Sequence, residues 1–144
     1  MDRLTVAEVE EVAHRLAREA LAWDEPIPEF KTRRPGILEG SIAVPFQTFD
    51  GKLLYRGTIP KLAILFYVMI KDHPFQNGNK RIAMTTLFYL LFRDRKWLRV
   101  SDEKLYRFAQ SVAGSDVQLK EEEVARIEQF LRRNIISLAR GPKR

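Results

Sequence analysis

Nine consecutive residues, 73–81, carry side chains suited to acid–base and phosphate chemistry: His-Pro-Phe-Gln-Asn-Gly-Asn-Lys-Arg. The imidazole of His73 could take a proton from an attacking hydroxyl, a common task of histidine in catalysis. Gly78 permits positive φ and lets a ligand approach the backbone closely. A helix is expected to begin just after Gly78, and the first amides of a helix have no partners within it. The sequence therefore predicts an anion-binding turn that faces a general base.

The residues after Gly78 add positive charge to this turn. Asn79 is a typical helix N-cap residue. Arg81 can bind two phosphate oxygens at once, whereas Lys80 supplies a compact point charge. We therefore expect Gly78, Asn79, Lys80 and Arg81 to bind a polyphosphate rather than a single carboxylate.

Two other features of the loop have simpler interpretations. A lone histidine before a proline would more often end a helix and make one hydrogen bond. The Gly-Asn-Lys-Arg run that follows in the same loop instead favours a role for His73 as general base. Phe75 is expected to anchor the loop in the core rather than to contact a substrate.

Two apolar helices must hold the loop. The first, with Thr58 as its expected N-cap, should end near Asp72, because His73 precedes a proline and such a residue avoids the α region. The second is expected to begin at Asn79 or the next residue and to continue to Leu91. The loop thus joins two helices of the core.

The whole sequence predicts a compact all-α bundle of about six helices with a small β-hairpin flap. A first helix over 5–21 should begin with a capping box at Thr5 and Glu8, and a connection over 23–40 should contain a short helical stretch at 37–39. The flap is expected over 46–55, around Asp50-Gly51. Two more helices are expected, one capped by Ser101 and closed by Gly114, and a last one over 119–138. We expect one domain over 1–138 and a basic tail over 139–144 without fixed structure.

Composition limits the class and location of the protein. The 144 residues contain no cysteine, which excludes disulfides and thiolate metal sites and favours a reducing cytoplasm. The first residues lack the pattern of a secretory signal, and no apolar run approaches the roughly 18 residues of a membrane span. The net charge of +6 falls largely in two patches, 93–99 and 132–144, which favours a solvated surface over direct contact with nucleic acid.

The nine-residue loop resembles the signature of the Fic superfamily, His-Pro-Phe-x-(Asp/Glu)-Gly-Asn-(Gly/Lys)-Arg. Lysine in the eighth place is typical of the death-on-curing (Doc) branch, and the resemblance extends over residues 5–135. It implies that His73 is the general base. It further implies that Gly78, Asn79, Lys80 and Arg81 bind the nucleotide, with Lys80 and Arg81 taking part in catalysis.

The resemblance implies a transferase with ATP as co-substrate. Members with glycine in the eighth place usually transfer AMP to a hydroxyl, whereas the Doc toxin has lysine there and phosphorylates elongation factor Tu. Lys80 therefore favours a toxin-type transfer of a phosphoryl group from ATP to a hydroxyl side chain of a protein, with a translation factor as the expected substrate. AMP transfer is the close alternative.

Asn77 departs from the family pattern, which has Asp or Glu at this position as a magnesium ligand. An amide carbonyl offers Mg²⁺ an oxygen without charge, so we expect a weakened metal site, with the ion held mainly by the nucleotide phosphates. Reduced activity is the consequence. A weakened or inactive Fic-fold binding module is therefore a further alternative.

Regulation in trans is also implied by the resemblance. Many family members carry an inhibitory helix with the pattern Ser/Thr-x-x-x-Glu-(Gly/Asn), which this sequence lacks, and Met84 replaces the second family arginine. Both features match the Doc branch. We therefore expect an antitoxin protein whose disordered segment folds onto an apolar groove of this domain. A basic nucleic-acid-binding domain is the last alternative, and steeply salt-dependent affinity would identify it.

Overall fold

The computed structural model describes residues 1–21, 23 and 25–138, which form a helical bundle with two antiparallel strand pairs. The helical elements are α1 (Val6–Glu8), a π-helical turn (Val9–His14), α2 (Arg15–Glu19), α3 (Ile37–Ala43), α4 (Thr58–Lys71), α5 (Asn79–Arg93), α6 (Asp102–Ala113) and α7 (Lys120–Asn134), with 3-10 turns at Phe30–Thr32, Val44–Phe46 and Val117–Leu119. The strands are β1 (Thr48–Phe49), β2 (Lys52–Leu53), β3 (Lys96–Leu98) and β4 (Ile135–Ser137). Because α1, the π-helical turn and α2 are continuous, the described residues form six helices, which confirms the predicted fold class.

The centre of the core is formed by α4 and α5. Ten consecutive residues of α4, from Lys61 to Ile70, are buried, because α3, α5, α6 and α7 all pack against this helix. The N-terminal helix packs against α5 in turn. The loop between α4 and α5 therefore starts and ends in the best-packed part of the molecule. Within the described residues, no helix has the combination of length and apolarity that crossing a membrane requires.

The sequence signals at helix ends are confirmed in part. Thr5 caps α1 with a complete capping box, in which its hydroxyl accepts from Glu8 N at 3.1 Å and the Glu8 carboxylate accepts from Thr5 N at 3.0 Å. Ser101 caps α6 by accepting a backbone hydrogen bond at 3.3 Å. The predicted cap at Thr58 is wrong, since Thr58 is the first residue of α4 and Gly57 occupies the N-cap position.

The predicted flap is present as the hairpin of β1 and β2. The two strands pair in antiparallel register over two residues each. Asp50 and Gly51 form the turn with φ of 54° and 75°, and a two-residue hairpin turn with positive φ at both positions favours Asp-Gly. The flap is shorter than the predicted 46–55, because Val44–Phe46 form a 3-10 turn.

The last helix ends earlier than the sequence predicts. Its pattern favours a helix to residue 138, but α7 ends at Asn134 and the chain then enters β4, which pairs antiparallel with β3. The β-branched Ile135 and Ile136 suit a strand, and pairing with β3, which no local pattern predicts, decides the outcome. The predicted basic tail, 139–144, lies outside the described residues.

Candidate active site

The loop between α4 and α5 turns sharply at both ends. At the first end, His73 has φ of 50°, a left-handed conformation that costs about 1–3 kcal/mol in a residue with a side chain. At the other end, Gly78 has φ of 76° and is the N-cap residue of α5. The exposed side chain of His73 consequently lies near the start of α5, where its Nδ1 is 3.4 Å from Nδ2 of Asn79.

Asn79 fixes the shape of the loop and does not cap α5, which corrects one sequence prediction. It is the first residue of the helix, and its side chain is buried. The amide makes two hydrogen bonds with the backbone of Phe75, accepting from N at 3.0 Å and donating to O at 2.8 Å. Loss of this amide would leave two buried polar groups of Phe75 without partners, a costly change.

Phe75 anchors the loop in the core, as the sequence predicts. It is 0% exposed, and its ring centroid lies 5.7 Å from that of Phe30 and 5.9 Å from that of His14. His14 is itself buried, and its Nε2 donates to the carbonyl oxygen of Pro28 at 2.7 Å. Burial lowers the pKa of His14, so the ring is a neutral packing partner of the loop.

The donors of the predicted anion-binding turn hold a carboxylate of the same chain. The backbone N–H of Gly78 donates to Oε2 of Glu25 at 2.9 Å. The Nζ of Lys80 lies 2.5 Å from Oε1 of the same carboxylate. Hydrogen bonding to Lys80 and to Gly78 lowers the pKa of Glu25 against the opposing effect of burial. The turn is thus able to bind two oxygens of one anionic group.

Glu25 is the first residue of a strap, residues 25–28, that crosses the loop closely. A Cβ atom on Gly78 would lie 2.6 Å from Cδ1 of Ile27 and 3.2 Å from the carbonyl oxygen of Pro26. Both distances are too short for ordinary contact, so only glycine fits beneath the strap. The close approach brings the Glu25 carboxylate to the backbone N–H of Gly78, just before α5.

Arg81 contacts the strap region and the end of α2. Its side chain is buried, and its guanidinium donates to the carbonyl oxygen of Ala17, to that of Trp23 at 3.4 Å and to that of Glu25 at 2.8 Å. Burial lowers the pKa of Arg81. Its predicted role as a phosphate ligand stays a prediction, and it requires the guanidinium to turn away from these carbonyl groups.

One cavity of about 160 Å³ brings the proposed base, the lysine and the strap carboxylate together. Its lining residues are Glu25, Ile70, His73, Gln76, Asn77, Asn79, Lys80 and Ala113. Sites for drug-sized ligands occupy about 300–1,000 Å³, so this volume suits phosphate groups and not a whole nucleotide. A cavity of about 320 Å³ beside His14 and Arg15 includes no residue of the loop.

The residues of the cavity do not fit a firm magnesium site. Asn77 is exposed and neutral, and the carboxylate of Glu25 is already bound by Lys80 and by the N–H of Gly78. Throughout the described ranges, no three histidine, cysteine or acidic side chains are grouped to hold a metal ion. Hard divalent cations need anionic oxygen ligands, and among the described residues that line this cavity the one carboxylate, Glu25, is already bound.

Glu25 is the site residue that sequence reasoning missed. It lies 53 residues before Gly78 along the chain, in a connection whose prolines predict only an exposed surface segment. Pro26 restrains Glu25 to an extended backbone, which is the only local signal. That signal does not indicate what the carboxylate contacts.

A family model described as the Fic/DOC family matches residues 3–91. This span includes the N-terminal helix, the strap, the whole loop and most of α5, and it contains every lining residue of the 160 Å³ cavity except Ala113. No curated protein and no solved structure matches the chain.

Proposed function

The chain belongs to the Fic/DOC family, and from this premise we propose that it transfers a phosphoryl group from ATP to a hydroxyl side chain of a protein. One observation carries the proposal. Lys80 and the N–H of Gly78 bind two oxygens of one anionic group, and His73 lines the same cavity. Donors for a phosphate therefore lie beside a base for a hydroxyl.

In the proposed reaction, His73 removes the proton from the target hydroxyl. The unprotonated ring nitrogen takes this proton as the hydroxyl oxygen attacks the γ-phosphorus of ATP. The bond between the γ-phosphorus and the bridging oxygen breaks, and ADP leaves with the electron pair. Lys80 and the N–H of Gly78 stabilise the charge on the transferring oxygens, because they are already fixed around an anion before the reaction.

The position of Lys80 favours γ-phosphoryl transfer over AMP transfer. The lysine side chain is 20% exposed, so water screens its charge only in part. The terminal phosphate is the most anionic part of ATP. Its oxygens should replace the two carboxylate oxygens of Glu25 at Lys80 and at the N–H of Gly78. Because His73 lines the same cavity, this arrangement supports attack at the γ-phosphorus.

The strap must release these donors before the nucleotide binds. The N–H of Gly78 and the ammonium of Lys80 cannot serve the Glu25 carboxylate and a phosphate at the same time. Any magnesium ion would enter with the nucleotide phosphates, which commonly supply part of its ligand set. We assign no step of the reaction to the metal.

We further propose a translation factor, elongation factor Tu, as the target and an antitoxin protein as the inhibitor in trans. The resemblance of the loop to the Doc branch supports both proposals. The test incubates the protein, ATP and magnesium with purified elongation factor Tu, and it follows γ-labelled and α-labelled ATP in parallel with mass analysis of the target.

A gain of one phosphate on the target, absent with His73→Ala, is the expected result. A gain of AMP would refute the argument from Lys80, and no modification of the target would refute this choice of substrate. A whole-lysate reaction with γ-labelled ATP separates a wrong target from a wrong chemistry. If no lysate protein gains label above the His73→Ala control, the proposed transfer is wrong.

A nucleotide-binding module with little catalysis is the second candidate. Two observations favour it: the Glu25 carboxylate occupies the N–H of Gly78 and Lys80, and the side chain of Asn77 carries no charge for a metal ion. This candidate predicts measurable binding of ATP that Lys80→Ala weakens, together with no transfer of either label. Transfer that depends on His73 would exclude it.

A further inference from the structure

The two basic segments that the sequence keeps apart form one surface. Beyond the paired residues of β3 and β4, Arg99 N donates to Asn134 O at 2.9 Å and Leu138 N donates to Arg95 O at 2.9 Å. The segment 95–99 therefore runs alongside 134–138. Because Asn134 is the last residue of α7, the backbone of Arg133 lies next to the residue that pairs with Arg99.

Three aromatic rings lie on the same part of the molecule. Phe88 and Trp97 stack with ring centroids 4.7 Å apart and planes inclined by 25°, and Phe92 meets Trp97 edge-on at 6.3 Å. Phe92 is 63% exposed and Trp97 is 37% exposed. Clustered aromatic rings that stay in contact with water often mark a binding surface.

Three arginines near these rings form no ion pair with any described acidic residue: Arg95 and Arg99 lie two residues either side of Trp97, and Arg133 precedes Asn134, which accepts from Arg99 N. Arg95, Arg99 and Arg133 are exposed, and none of the ion pairs between described residues includes them. Successive side chains of an extended strand point to opposite faces. Arg99 lies just past β3 but continues its pairing, so Trp97 and Arg99 share the face opposite Leu98, which is buried in the core.

We propose that a basic-aromatic surface, formed by Phe92, Arg95, Trp97, Arg99 and Arg133, binds single-stranded nucleic acid. Bases of an unpaired strand stack on exposed aromatic rings, and arginines bind the phosphates between them. A duplex hides the faces of its bases, so exposed rings would gain little from it. Only two of the rings are substantially exposed, whereas a membrane-binding face needs a broad apolar area.

The basic-aromatic surface is separate from the candidate active site. It lies at the C-terminal end of α5, whereas Lys80 lies at the N-terminal end of the same 15-residue helix. A helix of this length spans about 22 Å. The two sites can therefore be altered independently, and this proposal does not depend on the proposed function.

The test measures binding of a labelled single-stranded RNA of about 12 nucleotides, long enough to cover one such surface, by fluorescence anisotropy. Titrations between about 50 and 200 mM salt give the slope of log affinity against log salt, and the Arg95→Ala/Arg99→Ala variant should reduce this slope by about 1.4. Phe92→Ala should weaken binding about fivefold or more through lost stacking. Quenching of tryptophan fluorescence on binding should disappear in Trp97→Phe while affinity is largely kept.

The matched control is Arg15→Ala/Arg18→Ala, which removes the same charge from exposed positions on α2. The end of α2 lies beside Arg81, at the other end of α5, so this control should bind RNA with the affinity and salt slope of the parent protein. Equal losses in both double variants would overturn the proposal, because charge alone would then explain binding. So would absence of saturable binding at the lowest salt, or tighter binding to duplex RNA or to anionic lipid vesicles.

Discussion

Replacement of Glu25 by glutamine should tighten the binding of polyphosphate. In the folded protein the Glu25 carboxylate accepts from the N–H of Gly78 and pairs with Lys80, and an incoming anion must displace it from both. Glutamine keeps the length of the side chain and an acceptor for Gly78. It removes the charge that Lys80 holds and the repulsion between Glu25 and an anionic ligand.

The size of the effect follows from these two contacts. A hydrogen bond to a charged group contributes about 1.5–3 kcal/mol and one to a neutral group about 1 kcal/mol. Replacing the carboxylate by an amide therefore weakens the hydrogen bond from the N–H of Gly78 by about 0.5 kcal/mol or more. The pair with Lys80 has side-chain exposures of 38% and 20%. Solvent screening limits such a pair to about 1 kcal/mol. The sum, about 1–1.5 kcal/mol, corresponds to binding that is about five- to tenfold tighter.

Isothermal titration of inorganic tripolyphosphate into metal-free protein at fixed ionic strength measures this change. Glu29→Gln is the matched control, because Glu29 lies just beyond the strap, is exposed and forms an ion pair with Lys31. It changes the net charge equally and should leave the affinity within about a factor of two, because salt and water screen an exposed charge that does not touch the anion-binding donors. Lys80→Ala should weaken binding and abolish most of the gain from Glu25→Gln, since the two residues are coupled.

Unchanged binding in Glu25→Gln would show that the carboxylate does not compete with the ligand, and the argument from the strap would be wrong. Weaker binding would show that Glu25 helps to hold the ligand. Equal tightening in Glu29→Gln would assign the effect to net charge and not to position. Circular dichroism of each variant verifies that the fold is intact before affinities are compared.

Three further predictions concern the loop and its support. His73→Ala should lower label transfer by about 100-fold or more, since general-base catalysis contributes at least that much, while tripolyphosphate binding stays unchanged; a parallel loss of binding would contradict the assigned role. Asn77→Asp restores an anionic metal ligand and should raise magnesium-dependent transfer about tenfold, and no gain in that assay would mean that the amide does not limit activity. Burial lowers the pKa of His14 below its ordinary value of 6.5, so the unfolded chain takes up a proton near that pH while the folded chain stays neutral. Stability should therefore fall as the pH drops below about 6.5, and His14→Gln should flatten this decline in urea unfolding between about pH 7 and 5; an equal decline in both proteins would show that other groups cause it.

The sequence predicts those features that depend on neighbouring residues. His73 before a proline marks the end of α4, Gly78 marks the turn before α5, and Asp50-Gly51 marks the flap. In each case the conformational limits of one or two residues decide the backbone. At these points local preference places the ends of elements correctly, as in most natural chains, although His73 itself adopts a costly positive φ.

Features that depend on distant contacts were not predictable in this way. Glu25 reaches the loop across 53 residues, and no pattern within the strap shows where its carboxylate goes. Arg81 is part of the family signature, yet the carbonyl groups that surround it come from α2 and from the residues around the strap. The two isoleucines of β4 become a strand only because β3 is beside them. Tertiary contacts override local preference in all three places.

Gly78 lies where the anion-binding turn and the strap meet. The missing Cβ leaves the space that Ile27 occupies, and a methyl group there would overlap it at 2.6 Å. In Gly78→Ala the new methyl group would push the strap, and with it the Glu25 carboxylate, away from the donors. It would also strain the positive φ of the turn. A substitution here that moves the strap therefore also distorts the turn, so the two cannot be altered separately at this position. The contact between strap and turn thus depends on the absence of a single carbon atom at position 78.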